Sequence, residues 1–137
     1  MEDKKMKFLE ITQGVINRMA NNCFLLKGWT VTLMAGIFAL AAKDANLSFF
    51  LIAYFPIILF WFLDSYYLQL ERKYRVLYNR ATELPNYQID FKLNPPKSDE
   101  IEKTCFYQCF FSVSECGFYL PSALLVALTI LVSIYIK

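Results

Sequence analysis

Cys23-Phe24-Leu25-Leu26-Lys27-Gly28-Trp29-Thr30-Val31-Thr32-Leu33-Met34-Ala35-Gly36-Ile37-Phe38-Ala39-Leu40-Ala41-Ala42 is an apolar run broken by one charge, Lys27. A short polar turn, Lys43-Asp44-Ala45-Asn46, separates it from a second apolar run, Leu47 to Leu63. Each run is long enough, at helical rise, to cross or nearly cross a hydrocarbon layer of about 30 Å. The pair therefore reads as a transmembrane helical hairpin. A third apolar block, Gly117 to Ile136, carries no charge and is expected to span as well, although a re-entrant or core helix is the other reading of it.

Working outward, the remaining composition fits this frame. The chain has 137 residues, 57 % of them hydrophobic, and its apolar residues gather in three blocks instead of recurring as in a soluble core. The expected fold is all-α: three transmembrane helices, an amphipathic N-terminal helix and a small cytoplasmic helical segment. Its parts are residues 1–22, the cytoplasmic amphipathic helix; 23–83, the hairpin with a helical extension; 84–116, an extended arm and a helix; and 117–137, the last span. About 22 residues of amphipathic sequence precede the first block, so the N-terminus does not read as a cleaved signal peptide.

Charge placement predicts an orientation. Of the 14 Lys and Arg residues, only Lys43 and Lys137 lie outside the N-terminal part and the segment between the second and third blocks. By the positive-inside rule the N-terminus and central segment face the cytoplasm, and the Lys43–Asn46 turn and the C-terminus face the other side. In a bacterium this is an inner-membrane protein with a periplasmic C-terminus.

Residues 4–22 place Phe8, Ile11, Val15 and Met19 at helical spacing. This face is suited either to the membrane surface or to the basic segment that follows the second span. In the first span Gly28, Thr32 and Gly36 recur every four residues, with Ala35, Ala39 and Ala42 on a neighbouring stripe, a pattern that lets helix backbones approach closely. Packing within the hairpin and self-association are both open for this stripe. The second span is rich in Phe, Tyr and Trp, so the first span is expected inside the bundle and the second against lipid. Pro56 lies within the second run and marks a bend or hinge. Asp64, at the end of that run, is expected to be hydrated or paired with Lys27 or Arg72.

Beyond Asp64, Tyr67, Leu70, Tyr74, Leu77 and Tyr78 share one helical face, and Glu71 stands four residues before Arg75. The cationic face of Arg72, Lys73, Arg75 and Arg80, with Tyr67, Tyr74 and Tyr78, is the candidate contact for a partner or for anionic lipid, unless it serves only as a topological anchor. Leu84-Pro85-Asn86 ends the helix. Tyr87, Ile89, Phe91 and Leu93 then alternate with polar residues, as in a strand that packs on the helices as an arm or pairs with another chain. Ser98-Asp99-Glu100 is expected to cap a helix running to about Ser114.

Little in the chain supports catalysis. It has no histidine, no glycine-rich phosphate loop, and a cysteine spacing, Cys105-x3-Cys109-x6-Cys116, that does not match zinc sites. Asp99, Glu100 and Glu102 read as helix-start electrostatics. Cys105 is a reactive or lipidated thiol, or is simply buried among Phe106, Phe110 and Phe111. A membrane-embedded enzyme using Cys105 or Asp64 is the least supported reading. No cofactor, metal or nucleic-acid site is expected, and a pore would have to be lined by hydroxyl residues such as Thr30, Thr32, Ser48, Ser122, Thr129 or Ser133.

The run Ile16-Asn17-Arg18-Met19-Ala20-Asn21-Asn22-Cys23-Phe24-Leu25-Leu26-Lys27-Gly28-Trp29, followed by Phe60-Trp61-Phe62-Leu63-Asp64-Ser65-Tyr66-Tyr67-Leu68-Gln69-Leu70-Glu71-Arg72-Lys73-Tyr74, resembles small bacterial membrane proteins of the SLATT two-span effector type. The resemblance covers roughly residues 10–80. It implies a homo-oligomer that perturbs the membrane in an anti-phage conflict system when a soluble sensor or nuclease partner signals. The third span departs from that pattern, and no soluble domain is large enough to bind a second messenger. A non-toxic scaffold recruiting a soluble complex is the alternative.

Overall fold

The computed structural model describes residues 2–44, 47–97 and 104–135, and among these it is all helix and irregular chain, without strands. Three helices are long and apolar enough to cross a membrane. Helix α1 runs Glu2–Asp44 without interruption, α2 covers Leu47–Ile52, and α3 covers Tyr54–Glu83. A 3-10 turn at Asn86–Gln88 and an irregular segment lead to α4, Phe106–Phe110, and α5, Val113–Tyr135.

At a rise of 1.5 Å per residue α1 is about 65 Å long, roughly twice the hydrocarbon thickness. Its N-terminal half therefore stands beyond the apolar zone, where it pairs antiparallel with the far end of α3. Lys5 Nζ donates to the Thr82 and Leu84 carbonyls, at 3.2 and 2.9 Å, and so satisfies oxygens that the end of α3 leaves open. Of the two partners considered for the amphipathic segment, α1 takes the basic extension of α3.

The buried side of α1 carries Phe8, Thr12, Ile16, Cys23, Thr30, Met34 and Ala41. These positions follow a seven-residue rhythm that keeps one seam facing a neighbouring helix. The seam differs from the apolar face read in the sequence. Ile11 is exposed, and Thr12 is buried in its place because its hydroxyl donates to the Phe8 carbonyl at 2.8 Å, hiding the polar atom within its own helix.

The expected order of burial is reversed. Buried residues make up 28 % of the apolar stretch of the second span, against 17 % in the first and 11 % in the third. The reason is position: α3 packs against α1, α4 and α5, so it is the central element. Its aromatic side chains divide between the two environments. Phe55 and Phe62 point outward, whereas Tyr54 donates to the Ala123 carbonyl at 3.3 Å and Trp61 stacks within the bundle. Met34, Ala53, Ile57, Tyr119 and Val126 form the core.

Helix α2 ends at Ile52 and α3 starts at Tyr54, so the second span is interrupted at Ala53. Pro56 explains the place. Its ring would clash with the carbonyl four residues back, Ile52, and its missing N–H is harmless in the first turn of α3. Pro121 sits inside α5, where it deprives the Gly117 carbonyl of its helical donor, while Ser122 donates to the neighbouring Phe118 carbonyl at 2.8 Å.

Of the expectations for the central segment, one is met and one changes. Of the two alternatives for residues 87–93, the arm on the helices is the one seen, without strand geometry: Tyr87 and Gln88 complete the 3-10 turn, and residues 89–93 lie extended on α1, with Ile89 buried and the Phe91 ring edge-on to Phe8 at 5.8 Å. The helix expected from Ser98 to Ser114 is not continuous. Its start, with Asp99, Glu100 and Glu102, lies outside the described residues, Thr104 and Cys105 are not helical, and the chain turns again at Phe111-Ser112 before α5. Aromatic packing accounts for the break, since Phe106 and Phe110 of the short α4 turn toward Phe62 and Trp61.

Replacing Phe8 by Ala removes the side chain that seats the arm, at a cost of about 3 kcal/mol. Limited proteolysis of the full chain should then cut residues 86–97 faster than in the wild type, with α5 left intact.

Candidate functional site at a buried ionic cluster

Where the first and third apolar stretches begin and the second ends, one charged group from each long helix meets the others. Lys27 of α1 donates from Nζ to Asp64 Oδ2 of α3 in a short ion pair, and to Glu115 Oε1 of α5 at 3.0 Å. Asp64 and Glu115 are 0 % and 1 % exposed. Lys27 keeps some solvent contact, with its side chain 21 % exposed. Tyr119, one turn beyond Glu115, donates its hydroxyl to the same Asp64 Oδ2 at 2.9 Å, and its ring lies 5.8 Å from the ammonium.

Local sequence puts these groups together. Lys27 falls on the α1 seam, between Cys23 and Thr30, and Asp64 stands seven residues after Ile57 on the inner side of α3. Glu115 and Tyr119 are four apart on α5 and so share a face. Neighbouring polar atoms are tied down as well: Ser65 donates to the Trp61 carbonyl at 2.7 Å, Thr30 to Leu26 at 2.8 Å, and the Cys23 thiol faces the Asp64 carbonyl at 3.7 Å.

A layered aromatic wall closes the cluster on one side. The Trp61 ring stacks between Phe110, with centroids 4.4 Å apart, and Tyr119, at 5.7 Å. Its indole N–H donates to the Phe110 carbonyl at 3.1 Å, which uses one of the carbonyls left open at the end of α4.

The expectation for Asp64 is met in its partner and changed in its setting: it pairs with Lys27 but is fully buried. Glu115 and Tyr119 were not singled out by sequence reasoning. The available signal was their four-residue spacing just where the third apolar block begins, opposite a lone lysine and a lone aspartate at the ends of the other two blocks.

The other candidate residues fall elsewhere. Gly28, Thr32, Ala35, Gly36 and Ala39 are all exposed, on the side of α1 opposite the Cys23–Thr30–Met34 seam. A Cβ added at Gly28 or Gly36 would meet nothing within 4 Å. The stripe therefore takes no part in packing among the described residues. Tyr67, Arg72, Lys73, Tyr74 and Tyr78, on the part of α3 beyond Asp64, are half-buried, while Arg75 and Arg80 are exposed. Arg75 takes its expected partner, Glu71, at 2.8 Å.

The hydroxyls considered for a pore lining largely serve their own helices. Thr32 donates to the Gly28 carbonyl at 2.9 Å, and Thr129 to Val126 at 2.7 Å. The Ser48 side chain lies outside the described residues. Cys105 is half-buried at the start of α4, and Cys109 is the buried thiol of that helix. Burial pushes the Cys109 thiol above its usual range, and the nearby Arg72 opposes this in part.

No protein-family model matches the chain, and neither a curated protein nor a solved structure does.

Removing one partner of the cluster leaves a buried charge uncompensated. Lys27→Met, which strands both carboxylates, should lower stability in mild detergent by about 3–5 kcal/mol, whereas replacing the whole cluster, Lys27→Met with Asp64→Leu and Glu115→Leu, should cost less than that single change. Tyr119→Phe, which removes one bond to an ionised acceptor, should cost about 2 kcal/mol. Reversible unfolding of the three variants beside the wild type measures all three differences.

Proposed function

We propose that the protein is an inner-membrane effector, or accessory effector subunit, of a bacterial anti-phage system. In this reading it self-associates through the Gly28/Thr32/Gly36 face and perturbs the membrane when a partner signals. The observation that carries it is the exposure of that stripe. A face of Gly, Ala and Thr that its own chain leaves uncovered is suited to close approach by a second helix in lipid, and Ala35 and Ala39 extend it.

The defence setting is supplied by the resemblance to two-span effectors. The charge asymmetry supports a cytoplasmic N-terminus and a periplasmic C-terminus. The stalk formed by α1 and the end of α3 would then face the cytoplasm, where a soluble sensor or nuclease could press on it. Pro56 and the interruption at Ala53 supply a point at which the second span could flex.

A second reading, a scaffold without toxicity, draws on the arm. Tyr87 is 77 % exposed, and Phe91 and Leu93 leave further apolar surface free on the same segment. That surface suits a protein partner better than water.

Introducing leucine at Gly28 and Gly36 should leave the monomer folded and weaken self-association at least tenfold, about 1.4 kcal/mol. Crosslinking in native membranes reads the association, and membrane potential during infection, with the genomic neighbours present, reads the effect. Unchanged potential in the wild type under infection would contradict the effector reading. Partner capture lost on Tyr87→Ala, with permeability unaffected, would favour the scaffold.

A further inference from the structure

The ionic cluster is unequal in charge. Lys27 brings one positive charge to two carboxylates, and among the described residues it is the cation in ion-pair contact with them. With both carboxylates ionised, the buried group would carry a net charge of about −1, which is costly in a low-dielectric site.

Hydrogen bonding is unequal too. Asp64 Oδ2 accepts from Lys27 and from Tyr119, and Glu115 Oε1 accepts from Lys27. Asp64 Oδ1 and Glu115 Oε2 are buried without a donor among the described residues. Both carboxyl groups contact the same ammonium, Lys27 Nζ, so they are held close together, and two acceptor-only carboxylates cannot bond to each other. One added proton supplies the missing donor and cancels the extra charge.

The titratable and charged groups facing this point are Cys23 and Lys27 from α1, Asp64 from α3 and Tyr119 from α5. Cys109 of α4 stands within electrostatic range of Glu115, with Arg72 beside it.

We infer that the Lys27–Asp64–Glu115 cluster is a proton-binding site that takes up a single proton on Glu115 and is electrically neutral when the three long helices are packed together. The proton passes from hydronium to Glu115 Oε2, forming one O–H bond and leaving water. Asp64 Oδ2 already accepts from Lys27 and from Tyr119, which leaves Glu115 as the place for the added proton. As pH rises the proton leaves, Asp64 and Glu115 repel, and the start of α5 separates from α3. The inference requires only the fold and does not depend on what the protein does to the membrane.

The test is infrared difference spectroscopy of the full chain in lipid nanodiscs, taken from mildly acidic to alkaline pH. One carboxylic-acid C=O band per chain, lost as pH rises, is expected in the wild type. Glu115→Gln should abolish the band while a spin-label pair on α3 and α5 keeps its spacing at every pH. Asp64→Asn should also abolish it, because the pair of Lys27 and Glu115 is then neutral without a proton. Absence of the band in the folded wild type would overturn the inference. So would a band that survives both substitutions, or one displaced by sodium or potassium at constant pH, which would mark a metal-cation site instead.

Discussion

One ammonium group, Lys27 Nζ, is held by carboxylates from two other helices, and the arrangement of the bundle depends on it. In lipid, apolar helix faces gain little by meeting each other, since the hydrocarbon around them is equally apolar. Contacts such as Met34 with Ile57 and Val126 fill space but would tolerate sliding by a turn. An ion pair among buried partners does not. Lys27 sets α1 against α3 through Asp64, and α5 against both through Glu115, with Tyr119 and the stacked Trp61 fixing the angle of approach. Such a cluster specifies register more than it adds stability.

From this point the molecule divides into two zones. On one side the apolar helices continue as a three-span bundle. On the other, α1 and α3 run on together as a stalk, capped where Lys5 meets the end of α3 and flanked by the arm that carries Ile89 and Phe91. The face of α1 opposite the seam is left to the surroundings. In the proposed effector this division has a use: the stalk would receive a signal, the cluster would hold the helices in register, and the small-residue face would find other copies. A proton on Glu115 would tie that register to the pH on the cluster's side.

Much of the fold could be read from the chain because length and charge are strong signals in membrane proteins. Three uncharged or nearly uncharged blocks define three spans, and Glu71 four residues before Arg75 defines their contact. The failures have particular causes. Ile11 was placed on the packed face of the N-terminal helix, yet Thr12 takes that position, because a threonine can hide its hydroxyl on its own helix. The aromatic second span was read as lipid-facing because composition does not reveal that its helix is central. Glu115 escaped notice because it lies just before an apolar block, where an acidic residue looks like helix-start electrostatics; only the meeting of three helices shows that it is buried. The break between α4 and α5 depends on long-range stacking of Phe110 on Trp61, which local spacing does not encode.

Hydrogen–deuterium exchange of the full chain in nanodiscs, comparing the wild type with Lys27→Met, tests the role of the cluster most directly. If Lys27 sets the register of all three helices, protection should fall together around Cys23, Asp64 and Glu115, including the start of α5. Loss confined to the turn of α1 that carries the substitution, with α3 and α5 as protected as before, would contradict the account.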